Sequence, residues 1–198
     1  KSEGGRKYPK LRECAERADR YLRELSEGGA TTDQEFATAL RQVGEILNPG
    51  LIAIETKNAK FMSMGWGYIT RLAMYDAIER DAFAGVGQAM KQACDSHGDE
   101  NVQLRVLQCI TASMQAPTLL SSRQAVCVLV ECILSLYHSK SVTISNTAAA
   151  TLRQSVCTLF EFACHASDPS SISKNHENPD QEQPQQDEEG GEKTEGDG

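Results

Sequence analysis

Apolar residues recur at three- and four-residue steps along most of this 198-residue chain, which is the spacing that amphipathic helices require. The first such segment, YPKLRECAERADRYLREL, opens with Pro9 in a position suited to the first turn of a helix and stops at Gly28 and Gly29. Its apolar stripe consists of Leu11, Ala15, Ala18, Leu22 and Leu25. The pattern predicts one amphipathic helix here.

Capping and breaking residues delimit the second predicted helix. Thr32, with Glu35 three residues later, forms a capping box that opens it. The triplet Asn48-Pro49-Gly50 is predicted to end it. Its apolar face consists of Phe36, Leu40, Val43 and Leu47.

A short helix through Ile54 and a longer one capped near Asn58 are predicted next. Gly65 and Gly67 lie inside the longer helix, where each costs about 1 kcal/mol relative to alanine, so the close approach of a neighbouring helix is the expected reason for them. Trp66, between them, is expected to fill the core. The apolar stripe of this helix is expected to consist of Phe61, Met64, Tyr68 and Leu72.

Four more helical segments complete the pattern. The first contains Phe83, Val86, Met90 and Cys94, and the others are predicted over residues 100–115, 123–137 and 147–165. Ser145 or Asn146 is expected to cap the last helix, and the β-branched run VTI is too short to predict a strand. The inward face of the last helix is expected to consist of Ala149, Leu152, Val156, Leu159 and Ala163.

The spacing of the predicted helices indicates a repeat. Helices start near residues 58, 79, 100, 123 and 147, so that two of them form a unit of roughly 45 residues, the period of armadillo and HEAT repeats. The sequence therefore predicts an all-α fold, an armadillo/HEAT-like α-solenoid of about seven to eight helices. A closed helical bundle is the alternative. The helix over 123–137 favours the solenoid, because it is apolar on nearly all sides and suits an inner position between layers.

Acidic residues concentrate at the C-terminal end of the chain. From residue 166 onward there are ten acidic residues and two lysines, which leaves 18 residues of each sign in the first 165. The net charge of −8 therefore lies in this last segment, whose composition cannot bury enough apolar surface to offset the entropy of ordering. The sequence predicts a helical domain over residues 1–167 and a disordered acidic tail or linker over residues 168–198.

Motifs for catalysis or metal binding are weak. The seven cysteines form no C-x-x-C pair and fall mostly within apolar helical patterns, where a free thiol behaves as a small hydrophobe. The sequence GVG at residues 85–87 lacks the third glycine, the preceding strand and the lysine of a phosphate-binding loop. The neutral balance of the first 165 residues argues against nucleic-acid binding. We therefore expect no enzyme activity, no cofactor, no metal and no nucleic-acid partner, and a protein-binding module is what remains.

Four stretches of the chain carry a family resemblance. SLYHSKSVTISNTAAATLRQSVCTLFEF, at residues 135–162, resembles the end of the N-terminal dimerisation and cyclophilin-binding (DCB) domain of the large Arf guanine-nucleotide exchange factors and their relatives. RKYPKLRECAERA, IETKNAKFMSMGWGYITRL and NVQLRVLQCITASMQ resemble earlier helices of that domain in the expected order. Within the family, the asparagine, threonine and three alanines before TLRQ most resemble the Mon-two branch, which lacks a catalytic Sec-seven domain.

The resemblance implies a non-catalytic scaffold and regulatory role in a membrane-trafficking protein of the Golgi and endosomes. It also implies binding to an Arf-like small GTPase, a homodimer, or contact with the adjacent helical domain of the same protein. The protein would be cytoplasmic and peripheral on trans-Golgi network and endosome membranes, attached only through its partners. The alternatives are the N-terminal regulatory domain of a catalytic large Arf exchange factor and a generic armadillo-type peptide-binding adaptor.

Candidate binding residues come from the stretches that carry the resemblance. Polar side chains on a helix surface also remain solvated or pair along their own helix, so this assignment competes with a purely structural reading. No catalytic, cofactor-binding or metal-binding residue is assigned. The candidate protein-binding residues are Lys57, Asn58, Lys60, Asn146, Arg153 and Gln154.

Overall fold

The computed structural model describes residues 8–28, 32–95 and 99–166, and over these residues it consists of α-helices and one 3₁₀ turn, with no strand. The helices are α1 (Pro9–Glu27), α2 (Asp33–Arg41), the 3₁₀ turn Gly44–Leu47, α3 (Asn48–Glu55), α4 (Ala59–Met74), α5 (Phe83–Asp95), α6 (Glu100–Ser113), α7 (Pro117–Leu120), α8 (Arg123–Tyr137) and α9 (Val142–Ala166). The predicted all-α solenoid is confirmed, with α7 as an additional short helix. The tail predicted at residues 168–198 lies outside the described residues.

The helices stack in two rows. One row is formed by α4, α6 and α9, and the other by α3, α5 and α8, with each helix packed against the next in its row. The helices of the first row begin at residues 59, 100 and 142, close to the unit of roughly 45 residues that the sequence predicts. α1 packs against α2 and α3 at the first end of the stack. Among the described residues, none of the helices has the length and apolar content needed to cross a bilayer.

A continuous apolar core lies between the two rows. Trp66, Ile69, Met90, Ile110 and Ile133, from four different helices, are all fully buried in it. Trp66 thus fills the core, as predicted. α8 is not enclosed on every side, however, since Leu134 remains 42% exposed.

The triplet at residues 48–50 begins a helix instead of ending one, and this prediction was wrong. α2 ends at Arg41, and Pro49 occupies the first turn of α3, where its missing N–H costs no helical hydrogen bond. Gly50 lies against α4, because a Cβ there would stand 2.8 Å from Cγ1 of Ile69. The two predicted caps, in contrast, are confirmed: Thr32 and Glu35 form the capping box of α2, and Asn58 caps α4.

The last helix begins earlier than its alanines indicate. α9 starts at Val142, and the Ser141 hydroxyl accepts a hydrogen bond from the Ile144 N–H at 3.4 Å. The predicted caps Ser145 and Asn146 therefore lie inside the helix. The Ser145 hydroxyl instead donates to the Tyr137 carbonyl at 2.8 Å, which ties α9 to the end of α8.

The inward face of α9 also differs from the predicted one. Among the described side chains of α9, the buried ones are Ile144, Ala148, Thr151 and Ser155. The last three each lie one position before a residue predicted to face inward. Leu152 is half-buried, and Val156 and Ala163 are exposed. The face that packs against α6 and α8 is therefore offset by one residue from the predicted one, and the close packing expected at the alanines occurs at Ala148.

A polar cluster joins three separate parts of the first half of the stack. The Asp76 carboxylate accepts hydrogen bonds from Arg41 at 2.9 Å, from the Thr118 hydroxyl at 2.8 Å and from the Thr118 N–H at 3.1 Å. Asp76 has a φ of 51°, a conformation that costs non-glycine residues energy unless the surroundings hold it. These hydrogen bonds supply that support and connect the end of α2, the α4–α5 connection and α7.

Candidate functional site

A long apolar groove lies between α1 and α4, with α3 as its floor. Its volume is about 690 Å³. The α1 wall consists of Leu11, Ala15, Ala18 and Leu22, the floor of Gly50 and Ala53, and the α4 wall of Phe61, Met64, Gly65 and Tyr68. We call this feature the α1–α4 groove.

The α1 wall of the groove is an apolar stripe that the described part of the chain covers only partly. No residue in the described range Pro9–Glu27 is fully buried, although the stripe predicted from the sequence is present. Leu11 and Leu22 are half-buried, and Ala15 is exposed. α1 packs mainly against α3 and more weakly against α2, and Ala18, Tyr21, Leu22 and Leu25 are partly buried against the core, so the stripe is covered along one edge and exposed along the other.

The buried face of α4 differs from the core face predicted from the sequence. Of the predicted stripe, only Leu72 is buried, while Met64 is 60% exposed at the lip of the groove. The buried face is instead formed by Trp66, Ile69 and Ala73. Sequence reasoning missed the groove because an apolar residue that lines an open groove has the same pattern as one that lines a core. The available signal was the presence of apolar residues on two faces of α4.

Contacts at the two ends of the groove show the relative direction of α1 and α4. The rings of Tyr8 and Phe61 meet edge to face, with centroids 5.1 Å apart. Farther along, Arg17 pairs with Glu45 at 3.2 Å, and the Tyr68 hydroxyl donates to the Ile46 carbonyl at 2.8 Å. Because the early residues of α1 and α4 meet at one end and their later residues approach the same turn at the other, the two helices run parallel.

The partly buried hydroxyl of Tyr68 leads to a prediction of how stability depends on pH. Burial raises the pKa of its hydroxyl to about 12, so the folded protein keeps the proton at a pH where the unfolded chain, with a pKa near 10, has lost it. This contribution to stability is therefore present below pH ~10 and is lost as the pH rises from about 10 to about 12. We expect Tyr68→Phe to remove the last component of a spectrophotometric tyrosine titration. Tyr75→Phe, at an exposed position, should leave that component in place, and persistence of the component in Tyr68→Phe would contradict the assignment.

Three of the six candidate binding residues lie at the α3–α4 turn. Asn58 has a structural role, because its side-chain oxygen accepts hydrogen bonds from the N–H groups of Lys60 and Phe61. Lys57 is exposed and has a φ of 54°. Lys60 is exposed and lies on the lip of the α1–α4 groove.

The other three candidates, Asn146, Arg153 and Gln154, are exposed on α9. They lie in the last layer of the stack, whereas the α3–α4 turn belongs to the first layers. The structure thus places the candidates on two surfaces instead of one, and their role in binding stays a prediction. Large apolar side chains accompany the α9 group, since Val156 and Phe160 are also exposed.

The cysteines are spread over the fold as free thiols. Cys109 and Cys132 are buried, while Cys127, Cys157 and Cys164 are exposed. Burial raises the pKa of the Cys109 thiol to about 12, which leaves it inert as a nucleophile at neutral pH. Among residues 8–28, 32–95 and 99–166 there is no group of three or more His, Cys, Asp or Glu side chains that could hold a metal ion.

Thiol alkylation provides a test of this arrangement. We expect Cys127, Cys157 and Cys164 to react rapidly in the native protein, because their sulfurs reach solvent. Cys109 and Cys132 should react only after unfolding. Peptide mapping by mass spectrometry after brief alkylation would check this order, and fast native labelling of Cys109 would contradict the placement of α6 in the core.

Similar proteins identify the domain type. Residues 1–165 match the family described as the Mon2/Sec7/BIG1-like dimerisation and cyclophilin-binding (DCB) domain. The chain is 28% identical over 156 residues to the MON2 homolog of Drosophila melanogaster and 26% identical over 157 residues to that of Homo sapiens. Each alignment covers 79% of the chain and 9% of the relative, so the chain spans a small part of those proteins.

A MON2 homolog of a third organism is similar over most of the chain. The MON2 homolog of Schizosaccharomyces pombe is 28% identical over 152 residues, which cover 73% of the chain and 9% of that protein. The family match covers α1 to α9 in one continuous stretch up to residue 165. The chain therefore belongs to the Mon2/Sec7/BIG1-like family of dimerisation and cyclophilin-binding domains.

Proposed function

We propose that this domain is the non-catalytic regulatory part of a membrane-trafficking scaffold, and that it acts by binding other proteins. The observation that carries the proposal is the family match over residues 1–165, whose description combines dimerisation with the binding of a second protein. The exposed apolar side chains at both ends of the stack are compatible with such contacts. The protein would work on the cytoplasmic face of the trans-Golgi network and endosomes, held there by its partners.

An Arf-like small GTPase is the proposed partner of the α9 surface. Asn146, Arg153 and Gln154 provide exposed hydrogen-bonding side chains there, next to the apolar Val156 and Phe160. Tyr, Phe and Arg residues are enriched at the centres of protein interfaces, which supports the choice of this surface. Homodimerisation and contact with an adjacent helical domain are the other proposed interactions.

A pull-down with GTP- and GDP-loaded Arf-like GTPases tests the partner. We expect retention of the GTP-loaded form by the full chain, and loss of most of that retention in Arg153→Glu. Arg105→Glu is the matched control, because Arg105 is an exposed arginine on α6, outside the α9 surface. Binding that is absent, or that does not depend on the nucleotide, would count against GTPase recruitment.

Sedimentation velocity over a range of concentrations tests dimerisation separately. A concentration-dependent shift from monomer to dimer is expected for the full chain. A single monomeric species at every concentration would remove the dimer from the proposal and leave the GTPase test unaffected.

A second candidate function is the regulatory domain of a catalytic exchange factor. It is favoured by the family description, which covers Sec7-like and BIG1-like proteins as well as Mon2-like ones. A catalytic Sec-seven domain in the same protein would identify an exchange factor and so distinguishes the two candidates.

A further inference from the structure

We infer that the α1–α4 groove is a docking site for a short amphipathic helix of a partner protein, which lies antiparallel to α1 and carries acidic residues in its C-terminal turn. Such binding requires neither a GTPase nor a second copy of the chain, so it extends beyond the proposed function. The inference rests on the uncovered apolar walls, their spacing and the charge at one end.

The walls present apolar surface that the described residues 8–28, 32–95 and 99–166 leave partly exposed. α1 has an apolar stripe but no fully buried residue in its described range, and its side chains reach the core only as the partly buried Ala18, Tyr21, Leu22 and Leu25. Every helix of the two rows, in contrast, contributes fully buried residues to the core. On the facing wall, Met64 is 60% exposed. Removing apolar surface from water contributes about 25 cal/mol per Å², so an apolar partner that fills the groove gains free energy from both walls.

The spacing of the lining residues fits a helix. On α1 the lining residues Leu11, Ala15, Ala18 and Leu22 follow one another at four- and three-residue steps, and together they extend over about 16 Å, or three helical turns. Small residues at the floor, Gly50 and Ala53, leave depth between the walls. Grooves of this kind bind amphipathic helices through apolar anchors at i, i+3 or i+4, and i+7.

The charge at one end determines the orientation of the occupant. Arg12 and Lys60 stand on opposite lips at the end where Tyr8 meets Phe61. Neither α1 nor α4, both described in full, has an acidic residue in its first turn. Because the two helices run parallel, their positive N-terminal ends lie together at this end. A helix whose acidic, negative C-terminal end points there is the complementary partner.

The other charges along the groove do not cancel this asymmetry. Asp19 lines the groove farther along α1, but it is already paired with Arg23 at 2.9 Å. Arg12 pairs with Glu16 at 3.6 Å, and both of these side chains are mostly exposed, so this ion pair is weak and leaves Arg12 available to a partner.

Fluorescence anisotropy with a synthetic peptide tests the site in the full chain. The probe is a labelled helical peptide of about three to four turns, with leucines along one face and glutamates in its last turn. We expect saturable binding that weakens about tenfold or more in Met64→Glu and in Ala15→Glu, because each variant places a carboxylate on an apolar wall. Met74→Glu is the matched control: Met74 is 68% exposed on the same helix, outside the groove, and should leave binding unchanged.

A charge exchange tests the orientation. Lys60→Glu should weaken binding of the glutamate peptide and strengthen binding of a peptide that has lysines in its last turn instead. Lys140→Glu, at the exposed α8–α9 connection, should change neither.

The inference is overturned if the peptide does not bind, or if Met64→Glu and Met74→Glu reduce binding equally. It is also overturned if sedimentation shows a dimer that Met64→Glu abolishes, because the groove would then hold a second copy of the chain. A failed GTPase pull-down would leave the inference standing.

Discussion

Trp66→Ala is expected to lower the free energy of unfolding by about 3–5 kcal/mol, the largest effect of any single substitution considered for this domain. Trp66 has no exposed surface and lies in the core between the two helix rows, so its removal loses the transfer free energy of a large ring and leaves a cavity. Denaturant unfolding followed by circular dichroism measures the change. A loss below about 1 kcal/mol would mean that the ring does not occupy the core.

Two further substitutions show how much of this loss of stability comes from the buried volume of the Trp66 side chain. The Trp66 indole N–H has no hydrogen-bond partner among the described residues. Trp66→Phe removes this buried polar group together with part of the ring, so its cost should be clearly smaller than that of Trp66→Ala. Phe160→Ala is the control for an aromatic side chain on the surface: Phe160 is 69% exposed, and its removal should change stability by no more than about 0.5 kcal/mol.

Gly65→Ala should destabilise the domain by about 1–3 kcal/mol, even though alanine is the better helix former. A Cβ at this position would stand 2.6 Å from the Gly50 carbonyl oxygen and 3.1 Å from the Ala53 Cβ. Relief of these contacts requires α3 and α4 to separate, since backbone atoms of α3 are involved. Thermal and denaturant unfolding both report the change.

Gly67→Ala is the matched control on the same helix, two residues away. No atom lies within 4 Å of the position that its Cβ would take, so the helix gains up to about 1 kcal/mol from the lower entropy of the unfolded chain. The two variants should therefore change stability in opposite directions. Stabilisation by both would show that α3 and α4 are not in close contact at Gly65.

The two surfaces that we propose for binding lie at opposite ends of the stack. The first end holds the α1–α4 groove, an apolar groove with cationic lips at Arg12 and Lys60. The last end holds the exposed α9 surface with Arg153 and Phe160. Separate surfaces at opposite ends would let one domain of this family contact two partners at once, which is a property useful to a regulatory scaffold.

Local signals in the sequence predicted most helix positions correctly. The capping box at Thr32 and the cap at Asn58 depend on hydrogen bonds between residues two or three positions apart, so the chain segment contains all the necessary information. α8 has its predicted bounds, and the Ser122 hydroxyl caps it by accepting a hydrogen bond from the Ala125 N–H. The end of α2 and the start of α9 were misplaced because Pro49 and Ser145 are compatible with more than one position relative to a helix.

By itself, therefore, the sequence determined that this chain is a helical repeat protein of the DCB family, since helical periodicity, capping and the family motifs are properties of contiguous segments. Only the tertiary structure decided which apolar residues enter the core. Trp66 and Ile69 are buried while Met64 and Phe160 are exposed, although all four lie in apolar helical patterns. The physical reason is that burial depends on which helices approach one another and at what rotation, and these approaches are set by long-range contacts such as Gly65 against Gly50. The α1–α4 groove was also decided only by the tertiary structure, because the apolar stripe of α1 does not reveal how much of it the described helices cover.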